Sequence, residues 1–412
     1  MVSRRNLLMA TAAGGLAALV GMASGPAVAQ DGPIQVGLIG PMSGPWARQG
    51  ELMTKGAELA IKDINEAGGI KALGGRPLEL VIFDAGESVQ TATNAAQRMV
   101  SQYPDLVAVT GAWLSSFTLA VSEVTERAQL PMITLSYSDQ ITSRGFKYIF
   151  QMPKSGGTQA RESVPALVDL AERTTGKQPT TAGIIGDNTA SSVSFVTPLR
   201  ESVFEELGIE VLFDQTWTPP LADATALIQQ ARSTRPNFMI MASTAVPDNK
   251  LLLEKVNEFN LGGGRMPIIG SGAHLGMPEL LRNVGEDLLE GVMTVVGNWP
   301  GKGQEALVDR FKSETGEPWM TQDSISSYGD IQLMAYALEA AGKADRQAVA
   351  DAIRAVKTTE GPAAYYPGGK IEFNDAGLNI GAALMIIQWQ GGEPFAVYPP
   401  ETAVREPIWP TN

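Results

Sequence analysis

Cysteine is absent from this 412-residue chain, and histidine occurs once. Without thiols there is no disulfide, no Cys nucleophile and no iron–sulfur cluster, and one imidazole cannot build a structural zinc site. No metal site and no bound cofactor is therefore expected. Charge is scarce as well: 18% of the residues are charged, 31 basic against 44 acidic, for a formal net charge of −13. A surface of that sign repels phosphate backbones, which excludes nucleic acid as a partner. What the chain does have is apolar material. Hydrophobic residues make up 44% of it, enough for two or three domains of about 100–200 residues each.

The N-terminus reads as an export signal. Ser3-Arg4-Arg5 supplies a positive start, residues 7–20 are apolar and uncharged, and Ala27-Val28-Ala29 has the small-x-small form of a cleavage site. The apolar stretch is short and broken by glycines against the ~20 residues a membrane span needs. Residues 1–30 are accordingly expected to be a signal peptide, and the mature chain to work in the periplasm. Ser3-Arg4-Arg5-Asn6-Leu7-Leu8 is similar to a twin-arginine signal, but Leu7 and Met9 depart from its usual Phe and Lys, so a Sec signal stays open. No cysteine follows the apolar run, which rules out a lipid anchor there.

From residue 33 onward, short β-rich runs alternate with helical periodicities. Strands are expected at 34–39, 78–83, 106–110, 132–135 and 147–151, and again at 182–185, 209–213, 238–241, 267–269 and 291–296. Between the first two, Met53, Ala57, Ala60, Ile61 and Ile64 form an amphipathic stripe that stops at Gly68-Gly69. Residues 152–157 read as a linker, 303–356 as almost wholly helical, and 383–389 as a returning strand. Such alternation implies right-handed βαβ crossovers and parallel, doubly wound sheets in two α/β units.

Enzyme chemistry has little to stand on. The lone His274 lies in Gly270-Ser271-Gly272-Ala273-His274, with no Gly-x-Ser-x-Gly elbow, no dinucleotide fingerprint and no phosphate-binding Gly-Lys-Ser/Thr anywhere. No catalytic residue is assigned. Binding chemistry has more, because open α/β sheets hold ligands in the loops at the carboxyl ends of their strands. The first such loop carries Trp46, Arg48 and Gln49, the second Trp113, Ser115 and Ser116, the third Ser136, Tyr137 and Ser138. Ser115 or Ser116 either caps its helix or offers a helix N-terminus to a carboxylate. Arg48 is either an ionic partner for an acid group or a solvated loop residue.

The motifs Gly37-Leu38-Ile39-Gly40-Pro41-Met42-Ser43-Gly44 and Ala60-Ile61-Lys62-Asp63-Ile64-Asn65-Glu66-Ala67-Gly68-Gly69-Ile70 share one source of likeness with Ser115-Ser116, Pro131-Met132-Ile133-Thr134 and Ser143-Arg144-Gly145-Phe146. In this order and spacing, the chain resembles the type I periplasmic substrate-binding proteins of ABC importers, in the branched-chain amino acid and amide group. The resemblance implies two Rossmann-like lobes joined by three segments, with ligand in the cleft between them. It places residues 31–151 and 298–366 in lobe 1, and 152–297 and 367–412 in lobe 2. It implies that Ser115, Ser136 and Ser138 hold the ligand's carboxylate, that Trp46, Arg48 and Gln49 close over it, and that Trp113 touches its side chain. Asp187, Ser191 and Thr244 are the nearest matches in the second lobe. It also implies a small amino acid, amide or carboxylate ligand, delivery to an ABC permease by a monomeric receptor, and no enzymatic activity. A periplasmic sensor feeding a chemoreceptor or histidine kinase is the alternative. One departure stands out. Amino-acid receptors place an acid after the strand ending at Gly270, and here Ser271-Gly272-Ala273-His274 has none. Either Asp187 or Asp248 replaces that acid, or the ligand has no amine.

Overall fold

In the computed structural model, residues 32–409 are described; the expected signal peptide lies outside them. Five strands, β1 (Ile34–Gly40), β2 (Leu78–Asp84), β3 (Ala108–Gly111), β4 (Met132–Thr134) and β5 (Ile149–Gln151), form an all-parallel sheet in the order β2-β1-β3-β4-β5. The interior strands are near-continuous apolar runs because helices cover both faces. Edge strand β2 instead carries Glu79 and Asp84, and it is half-buried.

The second sheet takes β6 (Thr181–Asp187), β7 (Glu210–Trp217), β8 (Phe238–Ala242), β9 (Ile268–Ser271) and β10 (Met293–Val296) in parallel. After a small antiparallel pair, β11 (Lys357–Thr358) and β12 (Ile371–Glu372), the chain adds β13 (Met385–Gln390) antiparallel to β10, and β14 (Glu393–Tyr398) antiparallel to β13. The seven-stranded order is β14-β13-β10-β9-β8-β6-β7. The fold is thus α/β, two lobes built on mainly parallel sheets. β14 was not expected from the sequence. Its signal was Gly391-Gly392, both with positive φ (64° and 81°), which closes the hairpin from β13.

Three crossings connect the lobes: after Gln151, after Val296 and after Phe373. Residues 152–157 are only partly a linker, because Ser155 caps the helix Gly156–Thr175 by accepting the Thr158 N–H. Between the second and third crossings, the helices Glu305–Thr315, Gln322–Ala341 and Arg346–Arg354 return to the first lobe. Ile371 and Phe373, grouped with lobe 2 in the sequence reading, pack in the first lobe's core.

The helix Gln322–Ala341 is buried on nearly every side and lies along Ala47–Glu66. The two backbones approach so closely that a Cβ on Gly56 would sit 2.0 Å from the Ser324 carbonyl oxygen. This contact sets where Gln322 and Asp323 emerge toward the middle of the molecule. Among the described residues no helix is long and apolar enough to cross a membrane.

Candidate functional site

Loops after β3 and β4 meet loops after β6, β8 and β9 around a narrow cavity. The first lobe contributes Trp113, Leu114, Ser115, Leu135, Ser136 and Tyr137. From the second come Ser191, Ser192, Thr244 and Ser271 through His274, while Gln322 arrives on its own helix. The placement at strand carboxyl ends is the one open α/β sheets favour for ligands.

Local backbone explains how each group is held. Gly111, Ala112 and Trp113 all have positive φ (117°, 58° and 50°), so the chain turns sharply between β3 and the helix Ser115–Arg127. That turn carries the Trp113 ring to the cavity and leaves its indole N–H donating to Asp323 Oδ1 at 2.8 Å. Ser115 does not cap the helix: Leu114 occupies that position, without a side-chain bond. Instead, its Oγ accepts the backbone N–H groups of Tyr137 and Ser138, both at 3.1 Å. Its hydroxyl proton remains for a third partner. Ser116 Oγ accepts the Ala190 N–H of the other lobe at 3.4 Å.

Tyr137 joins the cavity to the second crossing. Its hydroxyl donates to Gln322 Oε1 at 2.5 Å and accepts the Gly297 N–H at 3.0 Å. Burial holds the phenol well above its ordinary range, so it stays protonated. Gly297 must be small here, since a Cβ would come within 2.5 Å of Pro153 and 2.8 Å of the Tyr137 ring.

On the opposite wall, Thr189 precedes the helix Ala190–Pro198, which presents Ser191 and Ser192. Asp187 does not line the cavity. It accepts from the Thr189 N–H and hydroxyl and from the Thr244 N–H and hydroxyl, at 2.6–3.0 Å. Its role is to fix those two loops. Asp248 is also committed elsewhere, accepting from the Trp217 indole and the Leu221 N–H at 2.9 Å each. Neither acid stands where it would meet an ammonium in the cavity.

Several expected contacts lie outside the lining. Arg48 sits in an ion-pair cluster, with Glu279 at 2.9 Å, Glu317 at 2.5 Å and Glu51 at 2.8 Å. Lys55 binds the same Glu317 and Glu51. Three acids already surround this guanidinium and raise its pKa, against the opposing effect of burial, so it is not free for a ligand's acid group. Gln49 is buried away from the cavity, and Ser138 is turned toward Ser194 and the Gln140 N–H. Trp46 reaches across the lobes, its indole N–H donating to the Thr244 carbonyl at 3.2 Å. Ser136 does line the cavity, yet its hydroxyl is engaged with the Trp113 carbonyl at 2.8 Å and with Thr118 at 2.6 Å. Sequence reasoning missed Ser192, Ser271 and Gln322. The first two follow strand ends and could have been found by that rule; Gln322 sits at a helix start with no such signal.

The electrostatics are those of a neutral chamber. None of the lining residues is an Asp, Glu, Lys or Arg. His274 is 5% exposed, and burial drives its pKa down to about 3, so the imidazole is uncharged near neutrality. Its Nε2 has no hydrogen-bond partner. Behind Trp113, burial raises the Asp323 carboxyl to about 7, with the indole bond only partly opposing the shift. Among the described residues no cluster of acids or histidines could hold a metal ion.

Two parallel-sheet lobes thus enclose a neutral chamber at their facing strand ends. The family model for the periplasmic binding proteins matches residues 33–393, and the chain belongs to that family. The members and structural neighbours named here are solute-binding proteins, not enzymes. A Leu/Ile/Val-binding protein homologue of Brucella melitensis is 27% identical over 384 residues, covering 90% of this chain and 92% of that protein. Among solved structures, the branched-chain amino acid binding protein LivJ of Streptococcus pneumoniae, in complex with isoleucine, superposes with a TM-score of 0.76 at 19% identity, over 88% of this chain and 97% of its own. A solute-binding protein of an ABC transporter from R. palustris, in complex with benzoate, gives 0.74 at 20% identity, over 92% and 99%.

Proposed function

We propose that this chain is the extracytoplasmic receptor of an ABC importer. It captures a small organic solute between its lobes and hands it, as a monomer, to a membrane permease. The observation that carries the reading is a cavity walled by both lobes, with hydrogen bonds and an ion pair spanning the gap beside it. Trp46 to Thr244, Ser116 to Ala190 and Arg48 to Glu279 are all contacts that closure would make and opening would break. Rotation about the three crossings is the motion the topology supports. Within this reading Trp113, Ser115, Tyr137, Ser191, Thr244 and His274 touch the solute. Ser136, Ser138 and Asp187 hold the loops that do so, and Trp46, Arg48 and Gln49 belong to the closing edge. The family's setting favours the periplasm, with residues 1–30 as the export signal.

The reading is tested by calorimetry and thermal-shift screening over amino acids, amides and carboxylates, together with mass spectrometry of co-purified ligand. At least one solute should bind below millimolar concentration and raise the melting temperature. Deletion of the gene should abolish uptake of that same solute. A chain that binds nothing in the panel and carries nothing from the cell overturns the proposal.

A further inference from the structure

Resting on the receptor reading above, the side-chain amide of Gln322 narrows what the solute carries. Gln322 begins the helix Gln322–Ala341, is only 3% exposed and lines the cavity. Its Oε1 accepts from three donors: the Tyr137 hydroxyl at 2.5 Å, the Gly297 N–H at 3.0 Å and the Asn298 N–H at 3.3 Å. Two of the three are backbone N–H groups, which can only donate. They settle which end of the amide is oxygen. The N–H2 end is left toward the cavity, with no partner among the described residues.

A nitrogen in that position is seldom left without an acceptor. The amide cannot turn over to relieve it, because its N–H groups would then face those of Gly297 and Asn298. The missing acceptor therefore belongs to the guest. No Lys or Arg lines the cavity, so an ionised oxygen at this spot would go uncompensated, and an uncharged one fits. The three bonds to Oε1 already hold the side chain still, so the contact costs little further ordering on binding.

We propose that Gln322 is a specificity-determining contact whose N–H2 donates to an uncharged acceptor oxygen on the solute: a ketone, amide, ether or hydroxyl oxygen. A solute with only hydrocarbon at that place strands the donor and is rejected. The same planar group holds the second crossing through its own oxygen, so the solute's oxygen is tied directly to that segment.

The test is calorimetry on the purified chain with matched pairs in which a ketone oxygen replaces a methyl group. The pairs are 4-oxopentanoate against 4-methylpentanoate, 4-oxopentanamide against 4-methylpentanamide, and 2-amino-4-oxopentanoate against leucine. In whichever class binds, the ketone should bind at least about tenfold more tightly than its methyl twin. A methyl twin that binds as tightly overturns the inference while leaving the receptor role intact. So does a co-purified ligand with no oxygen outside its terminal acid or amide group. Silence from all six probes with no co-purified ligand overturns both. Gln322→Glu provides a second arm, since it keeps an acceptor for Tyr137, Gly297 and Asn298 and replaces the N–H2 by oxygen. In the folded variant the uncharged 4-oxopentanamide should lose at least about tenfold in affinity, and its advantage over 4-methylpentanamide should vanish. A surviving ketone preference, or an equal loss for both amides, overturns the inference.

Discussion

His274 shows how little a residue type says before its surroundings are known. In the sequence it was the one candidate imidazole base. In the fold it is buried, uncharged and hydrogen-bonded to nothing through Nε2. The shift has a measurable consequence for stability. The unfolded chain binds a proton at His274 near pH 6.5, whereas the native chain resists it down to about 3. Stability is therefore lost as pH falls from about 6.5 toward 3, where the unfolded state holds more protons. His274→Gln removes that loss. The wild type should lose more stability than the variant between pH 7.5 and 5, by about 2 kcal/mol at most, as read by urea unfolding. Parallel losses would show that the imidazole is not held neutral. Asp323 and Asp330, raised to about 7 and about 6 by burial, have the opposite slope, but they are common to both proteins and cancel. Arg48 makes the converse point. Read as a loop residue, it instead sits in the first turn of the helix Ala47–Glu66, and its partners Glu279 and Glu317, more than 200 residues away in sequence, left no local trace.

Elements were far more legible than contacts, and for a physical reason. Interior parallel strands must be apolar on both faces, and amphipathic helices must repeat with the helical period, so β1 to β10 and the long helical block announce themselves. β14 is an edge strand whose hairpin turn, Gly391-Gly392, was the only local sign of it. Ser155 was read within a linker because Gly156-Gly157 looks like a loop, although the serine's capping bond starts a helix there. The packing of helix on helix had no such signal. Gly56 lies within the stripe of Ala47–Glu66 and marks a backbone contact only once Ser324 is placed against it. Gly56→Ala should push Gln322–Ala341 outward and cost about 1–3 kcal/mol, checked by chemical denaturation. Because Gln322 and Asp323 start that helix, solute affinity should fall as well. A fully stable variant would mean that the two helices slide past the added methyl freely.

For the whole molecule, the question is what holds the lobes together. The ion pair from Arg48 to Glu279 is the charged contact across the gap, backed by Glu317, which is almost fully buried and shared with Lys55. Arg48→Gln should shift the population toward open forms and weaken solute binding by roughly three- to tenfold, since affinity scales with the fraction of closable molecules. Small-angle scattering should report a larger unliganded particle. Salt should mimic the substitution in the wild type and have little further effect in the variant, because partly exposed pairs are screened. Affinity and particle size that do not change would assign the cluster to packing alone. Two α/β units were readable from the alternation of elements, and the cleft between them was given by the family resemblance. The neutrality of the chamber was only half readable: the missing acid after Gly270 was visible in the sequence, but the commitment of Asp187 and Asp248 to other loops required the fold.

Tyr137 has a consequence that reaches beyond its own contacts. One edge of the ring is wall, and its hydroxyl fastens Gly297 on a strap that passes between the halves beside Pro153. A guest too bulky for the wall would have to displace the ring, and in doing so unfasten the strap on which, in the proposed receptor, the halves swivel. Gatekeeping by size and the ability to shut are thereby assigned to a single rivet.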